Sequence, residues 1–335
     1  MLQRTKYIDG MRGVAMFMVV IYHVSYSCFH SDNIITNVIN VRYELPLFFF
    51  ISGFFAERME IKGTWVCILD KFKRLIIPTI IMMSLFCWTM NFDLIEGIQK
   101  KLKEGYWFTF VLFEFIVIYN MTNIFSKIFG LYKAKKWIHL LVGIIFLYVS
   151  SFSEKYNSQY NIINLFSIGE FWHYIFFITG SLLFSKKEIF NKIVDSKYIL
   201  GICIFICLIA NIFTYKYGFV MFRQFAMIIV SCLIIVGLII IWGLFIRYKE
   251  LSNGNAIGNF FSLMGKRTLD IYFIHYFILP WNLKTVGVFF SNINVPLIEY
   301  SLAVFIAFLV TFASLGIGYV IRLSPFAARW LLGEK

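Results

Sequence analysis

Charged residues are scarce in this chain, and their scarcity sets the first limit on what it is. Asp, Glu, Lys and Arg make up 15% of the 335 residues, whereas hydrophobic residues make up 60% and the mean hydropathy is +0.78. Soluble domains are close to half apolar and a quarter charged. The composition therefore excludes an ordinary soluble protein and predicts a polytopic membrane protein that has the lipid bilayer as its surroundings.

Acidic residues are scarcer than basic ones, 18 against 31, which leaves a formal net charge of +13. Such an excess can indicate nucleic-acid binding. Here, however, the basic residues stand in short clusters between apolar runs, which is typical of the cytoplasmic loops of membrane proteins. The sequence therefore predicts no nucleic-acid partner.

Three further absences concern metals, export and domain organisation. The six cysteines lie in or beside apolar stretches without the spacing of a zinc site or a disulfide framework, so they are expected to be small buried hydrophobes, with no metal bound. The first apolar run lacks a small-residue cleavage site and is expected to be a retained helix. Because no linker, repeat or low-complexity stretch divides the chain, residues 1–335 are expected to form a single transmembrane domain.

Ten apolar runs are long enough to cross a bilayer, which takes about 20 residues or somewhat fewer with polar ends. The side that holds the N-terminus collects 22 lysines and arginines and the other side 8, with Arg12 left aside at the boundary. This asymmetry predicts that both termini are cytoplasmic. The fold class is therefore all-α, a bundle of about ten transmembrane helices at 11–29, 43–57, 75–91, 106–126, 137–153, 170–185, 198–215, 224–246, 268–285 and 296–321.

The first of these helices and the residue pair just before it place three ionisable residues along one stripe. Arg12 and His23 are eleven residues apart, which is about three helical turns, and Asp9 can pair with Arg12. Ionisable groups inside a membrane are costly and often functional. The alternative is structural, a satisfied core histidine with an arginine that extends to the interface.

The second helix has a polar entrance and a polar midpoint. Glu44 stands at its outer, positive dipole end beside Pro46, and Ser52 with Gly53 allows close backbone approach halfway down. Glu44 is expected near the outer mouth of a cavity. The alternative is a helix cap followed by lipid-facing aromatic residues and a packing glycine.

A basic cluster, Lys71, Lys73 and Arg74, enters the third helix ahead of Pro78. Such clusters commonly set topology, but lysine and arginine also pair with phosphate and could hold a polyanionic cytosolic ligand. Further polar residues inside apolar runs include Glu114, which follows Trp107, and His275.

Taken together in this order, these segments resemble the integral-membrane acyltransferase family 3, and the resemblance spans all ten predicted helices. The family implies O-acylation, commonly acetylation, of sugars, with acyl-coenzyme A from the cytoplasm as donor. It also implies that Arg12 and His23 form the functional pair of the first helix and that the basic cluster contacts the donor. The matching segments are Asp9-Gly10-x-Arg12-x10-His23, Pro46-Leu47-Phe48-Phe49-Phe50-Ile51-Ser52-Gly53-Phe54, Lys71-x-x-Arg74, Trp107-Phe108 and Ile271-Tyr272-Phe273-Ile274-His275.

Two features depart from the family pattern. Lys71 stands where an arginine is often found, which keeps the charge but weakens bidentate phosphate binding. No extracytoplasmic hydrolase domain follows the tenth helix, so transfer to muramyl glycan through such a domain is not expected.

The predicted function is that of an O-acetyltransferase of the bacterial plasma (inner) membrane. It would transfer an acetyl group from acetyl-CoA to a hydroxyl of a cell-envelope polysaccharide, a lipid-linked glycan or another sugar, with His23 as general base because an imidazole titrates near neutral pH. The predicted site residues are, for catalysis, His23, Arg12 and Asp9; for donor binding, Lys71, Lys73, Arg74 and His275; and for acceptor binding, Glu44, Ser52, Trp107 and Glu114.

The rival prediction is a transporter or flippase for a glycan or small anion, in which the same histidines relay protons. Against it, the sequence has no paired halves with matching broken helices. Direct transfer and an acyl-histidine intermediate both stay open, as do the acceptor hydroxyl and the oligomeric state.

Overall fold

The computed structural model is helical and has no strand in the residues that it describes, 6–57, 63–156, 161–184, 187–206, 223–248 and 254–334. The predicted all-α class is therefore confirmed. The α-helices are α1 (Lys6–His23), α2 (Glu44–Phe54), α3 (Thr64–Lys71), α4 (Ile77–Met90), α5 (Leu94–Gln99), α6 (Trp107–Ile128), α7 (Lys135–Tyr156), α8 (Asn161–Leu165), α9 (Tyr174–Phe184), α10 (Lys187–Val194), α11 (Lys197–Ile206), α12 (Arg223–Arg247), α13 (Ala256–Lys266), α14 (Thr268–Ile278), α15 (Lys284–Ile293), α16 (Pro296–Ile321) and α17 (Pro325–Leu332).

Shorter helical segments adjoin several of these helices. The π-helical segments include Val24–Cys28, Thr36–Val41 and Phe72–Ile76, and the 3-10 helical segments include Lys103–Gly105, Tyr132–Ala134 and Ile168–His173. Segments of π-helix are rare in proteins and often lie at functional sites. Two of those seen here directly follow predicted site residues, His23 and Lys71.

The chain is a multi-pass membrane protein. In the described part of the chain, five helical stretches are long and apolar enough to cross a membrane, Lys6–Cys28, Trp107–Ile128, Tyr132–Ser153, Met227–Arg247 and Pro296–Ile321. Glu44–Phe54, Ile168–Phe184 and Lys197–Ile206 are shorter apolar helices. The predicted run at 198–215 is helical as far as Ile206, and its remainder lies outside the described residues. The cytoplasmic location of both termini stays a prediction.

The predicted helix over 268–285 is wrong in its second half. α14 ends at Ile278, and Leu279 is extended, with φ −54° and ψ 131°. Pro280 follows, and a proline disfavours helical geometry in the residue before it and has no N–H to continue the hydrogen-bond ladder. A separate helix, α15, then begins at Lys284.

The chain forms two compact units. The first unit contains residues 1–48 and 241–328, and the second contains residues 49–240 and 329–335. The single domain over 1–335 stays a prediction.

In the first unit, α1 packs closely against α13. A Cβ added at Gly13 would overlap the carbonyl of Phe261, and one added at Gly265 would overlap the carbonyl of Asp9. Small residues let helix backbones approach in this way, which gives van der Waals contact where water cannot drive helix association. The approach fixes the helix that carries Asp9, Arg12 and His23.

In the second unit, the end of α2 packs against α9 by the same means. A Cβ at Gly53 would overlap the carbonyl of Phe177, and one at Gly180 would overlap the carbonyl of Phe50. Phe49 is fully buried, and its ring centroid lies 4.9 Å from that of Phe108. The alternative of lipid-facing aromatic residues is therefore wrong for Phe49, which is a core residue.

Candidate active site

His23 is the last residue of α1 and is held by a tyrosine from α14. The Tyr276 hydroxyl lies 2.9 Å from His23 Nε2, and the two rings contact edge to face with centroids 4.9 Å apart. Tyr276 is buried, whereas His23 is half-buried. Within the described part of the chain, the bond to Tyr276 is the one hydrogen bond of the His23 ring.

His275, the neighbour of Tyr276, lies against the same imidazole. The ring centroids of His23 and His275 are 5.3 Å apart. His275 Nδ1 is 2.8 Å from the carbonyl oxygen of Ile271. Because a carbonyl can only accept, Nδ1 carries the hydrogen and Nε2 has the lone pair. This Nε2 is buried and has no hydrogen-bond partner among the described residues.

An ion pair anchors the helix that supplies these two residues. Arg322, directly after α16, donates from both terminal nitrogens to Asp270 in the first turn of α14, with Nη2 2.6 Å from Oδ1. Asp270 is buried, and a Cβ at Gly318 would press on its carboxylate. A bidentate pair fixes direction as well as distance, so it holds α14 in place beneath His275 and Tyr276.

The other predicted site residues of the first unit are Asp9, Arg12 and Glu44. Asp9 is buried against Gly265, and Arg12 is half-buried one turn further along α1. Glu44 begins α2 as predicted, is buried, and has one carboxylate oxygen, Oε2, without a hydrogen-bond partner among the described residues. The pairing of Asp9 with Arg12 stays a prediction.

The basic cluster belongs to the second unit. Lys71 ends α3, and Lys73 and Arg74 lie in the π-helical segment that leads into α4. Lys73 is exposed and Arg74 half-buried, and Arg74 Nε donates to the carbonyl oxygen of Gly333 at 3.2 Å.

Ser52, Trp107 and Glu114 are half-buried residues of the second unit. Trp107 is the first residue of α6, and its ring centroid lies 5.8 Å from that of His173. Glu114, two turns into the same helix, has a buried oxygen, Oε2, without a hydrogen-bond partner in the described chain. These residues stay predicted acceptor contacts.

A buried lysine lies near Glu114, just before α6. Lys103 Nζ donates to the carbonyl oxygens of Ile98 at 3.1 Å and Asn164 at 2.7 Å. Burial lowers the pKa of Lys103 to about 8, and the nearby Glu114 carboxylate acts in the opposite direction. Lys103 and Glu104 also have φ values of 45° and 50°, which are uncommon for residues with a side chain.

The sequence did not identify Tyr276 as a site residue. The available signal was a tyrosine directly after a histidine in an apolar helix, since a buried tyrosine hydroxyl usually finds a partner. Nothing in the pattern identifies that partner as His23, which is 253 positions away.

The comparisons with known proteins give one result. A family model described as an acyltransferase domain, that of acyltransferase family 3, matches residues 5–317. No curated protein and no solved structure matches. Among the described residues, no group of three or more His, Cys, Asp or Glu side chains could hold a metal ion.

Proposed function

Because the chain belongs to acyltransferase family 3, we propose that this membrane acyltransferase moves an acetyl group from cytosolic acetyl-CoA to a hydroxyl of an envelope glycan. The acceptor would be a polysaccharide, a lipid-linked glycan or another sugar, and the membrane would be the bacterial plasma membrane. The apolar composition and the basic cluster beside α4 support a membrane enzyme that meets a soluble, anionic donor.

His23 is the general base in this proposal. A base needs a free lone pair, so His23 Nε2–H donates to the Tyr276 oxygen and Nδ1 receives the substrate proton. Tyr276 is then a positioning residue, because it fixes the tautomer and the plane of the imidazole without touching the substrate. His23 gains a favourable partner for the charge that it acquires when protonated.

The observation that carries the proposal is the buried lone pair of His275. An acceptor atom left unpaired in the protein interior costs about 1–3 kcal/mol, and a bound hydroxyl group would satisfy it. A small anion that carries no O–H or N–H group would not, since it has no hydrogen to donate. The site beside His23 therefore suits a ligand with hydroxyl groups better than such an anion, and the transfer assay separates the enzyme from a transporter of glycans.

The reaction balances with these groups. His23 Nδ1 removes the proton as the hydroxyl oxygen attacks the thioester carbonyl carbon. The carbon–sulfur bond then breaks, and the proton passes from His23 to the departing sulfur, which gives the O-acetyl ester and coenzyme A. The half-buried Arg12 supplies positive charge, either at the carbonyl oxygen or at the donor phosphates.

The donor would bind at Lys71, Lys73 and Arg74, and the acceptor at Glu44, Ser52, Trp107 and Glu114. The exposed Lys73 and the terminal nitrogens of Arg74 offer phosphate-binding donors. The half-buried Trp107 ring offers an apolar face to a sugar. His275, predicted from the sequence as a donor contact, is proposed here to accept from the acceptor sugar.

The test is release of coenzyme A thiol from acetyl-CoA by the purified protein, together with transfer of radiolabelled acetyl to envelope glycans in membranes. Both are expected with the wild-type protein and strongly reduced with His23→Ala. A protein that binds glycan but neither hydrolyses nor transfers the acetyl group would be the rival transporter. Label that stays on the protein without acceptor would replace direct transfer by an acyl-histidine intermediate.

A further inference from the structure

The last described residues of the chain hold one member of the basic cluster. Arg74 Nε donates to the carbonyl oxygen of Gly333, which follows α17, at 3.2 Å. Within the described residues this is the one hydrogen bond of the Arg74 side chain. The four N–H groups on Nη1 and Nη2 are therefore left to donate to a ligand. The guanidinium is thus bound on one edge and available on the opposite one.

The contact requires glycine at position 333 for two reasons. Its φ is +66°, in the left-handed region that residues with a side chain seldom adopt. A Cβ there would also overlap the carbonyl of Arg74 itself. The preceding Leu332 is 2% exposed, so the segment that presents Gly333 is seated in the protein. Any larger residue would push the carbonyl away from Arg74.

We infer that Gly333 is a positioning residue of the donor site, which holds Arg74 so that its Nη1 and Nη2 present a fixed fork to phosphate. This inference rests on the proposed function. An arginine can bind an anion through the Nε edge or through the terminal pair, and occupying Nε leaves the terminal pair. A side chain that is already ordered loses less conformational freedom when the ligand binds.

The segment at Gly333 could instead cover Arg74, and its loss would then have the opposite effect on donor binding. If the segment at Gly333 covered Arg74, it would compete with the phosphates, and loosening it would strengthen donor binding. The two possibilities therefore differ in the sign of one measurement.

The experiment compares Gly333→Ala with Gly130→Ala in the full-length protein. Gly130 has nearly the same φ, +68°, in the same unit, but a Cβ there meets nothing within 4 Å. Both variants introduce the same backbone strain, and Gly333→Ala alone of the two disturbs Arg74. Isothermal titration with coenzyme A itself as the ligand measures affinity, and thermal unfolding checks that each variant is folded.

We expect Gly333→Ala to weaken coenzyme A binding about 2- to 10-fold relative to Gly130→Ala, the range for losing one pre-ordered side chain. In an Arg74→Ala background the Gly333 substitution should have no further effect, since the group that it positions is gone.

Equal affinities of the two glycine variants would overturn the positioning role and leave the proposed function intact. Tighter binding by Gly333→Ala would overturn it in favour of a covering segment. A wild-type protein that does not bind coenzyme A would remove the proposed function, and the inference with it.

Discussion

Tyr276→Phe tests the proposed base most directly, because it removes one hydroxyl and keeps the ring. The lost contact is the 2.9 Å hydrogen bond to His23 Nε2. During transfer His23 becomes positively charged, and a hydrogen bond to a charged group contributes roughly 1.5–3 kcal/mol. At 1.36 kcal/mol for each factor of ten, kcat should fall about 10- to 100-fold.

The donor KM should stay near its wild-type value, since Tyr276 hydrogen-bonds to His23 and is not one of the proposed donor contacts. Initial rates of acetyl transfer at varied acetyl-CoA concentrations separate the two constants. Tyr300→Phe is the matched control, because it removes a tyrosine hydrogen bond of 3.2 Å to Asn40 in the same unit. That control should retain wild-type kcat.

Two results would refute the reasoning. Wild-type kcat in Tyr276→Phe would mean that the hydroxyl does not orient the base. An unchanged kcat with a raised donor KM would make Tyr276 a binding residue instead. Loss of folding is excluded by comparing the thermal unfolding of the two tyrosine variants.

The remaining predictions concern the base, the donor cluster and the buried lysine. His23→Ala should reduce transfer by about 10²–10⁴-fold while donor binding is retained, and full activity in a membrane assay would move the search to His275. Arg74→Ala should raise the donor KM severalfold and make donor binding less sensitive to salt; an unchanged KM in inserted protein would leave the cluster as a topology signal. Since burial lowers the pKa of Lys103 to about 8 from 10.5, the unfolded chain binds more protons between these values, so the Tm of the wild type relative to Lys103→Met should rise as pH increases from 8 to 10.5. A Tm difference that is flat or falls over that range would contradict a pKa of Lys103 that burial has lowered.

Several local features could be read from the sequence because their causes are local. Hydrophobicity along the chain identified the membrane class and most helices, since a spanning helix must be apolar whatever it packs against. Pro296 begins α16 as expected, because a proline at the first helical turn sacrifices no hydrogen bond. Pro280 also predicts the early end of α14, although the apolar run continues past this proline.

Which faces meet was decided by the tertiary structure. In a membrane helix the lipid-facing and protein-facing sides are both apolar, so the pattern does not tell them apart. The aromatic run at Phe49 is an example, because its sequence left a lipid-facing position open and Phe49 lies in the core. For the same reason, Arg12 and His23 could be assigned to one stripe by their spacing, but the partner of that stripe could not. The hydrogen bonds between His23 and Tyr276 and between Arg74 and Gly333 join residues more than 250 positions apart. Such contacts depend on how helices of similar composition pack against one another, and that information is not present in any one segment of the sequence.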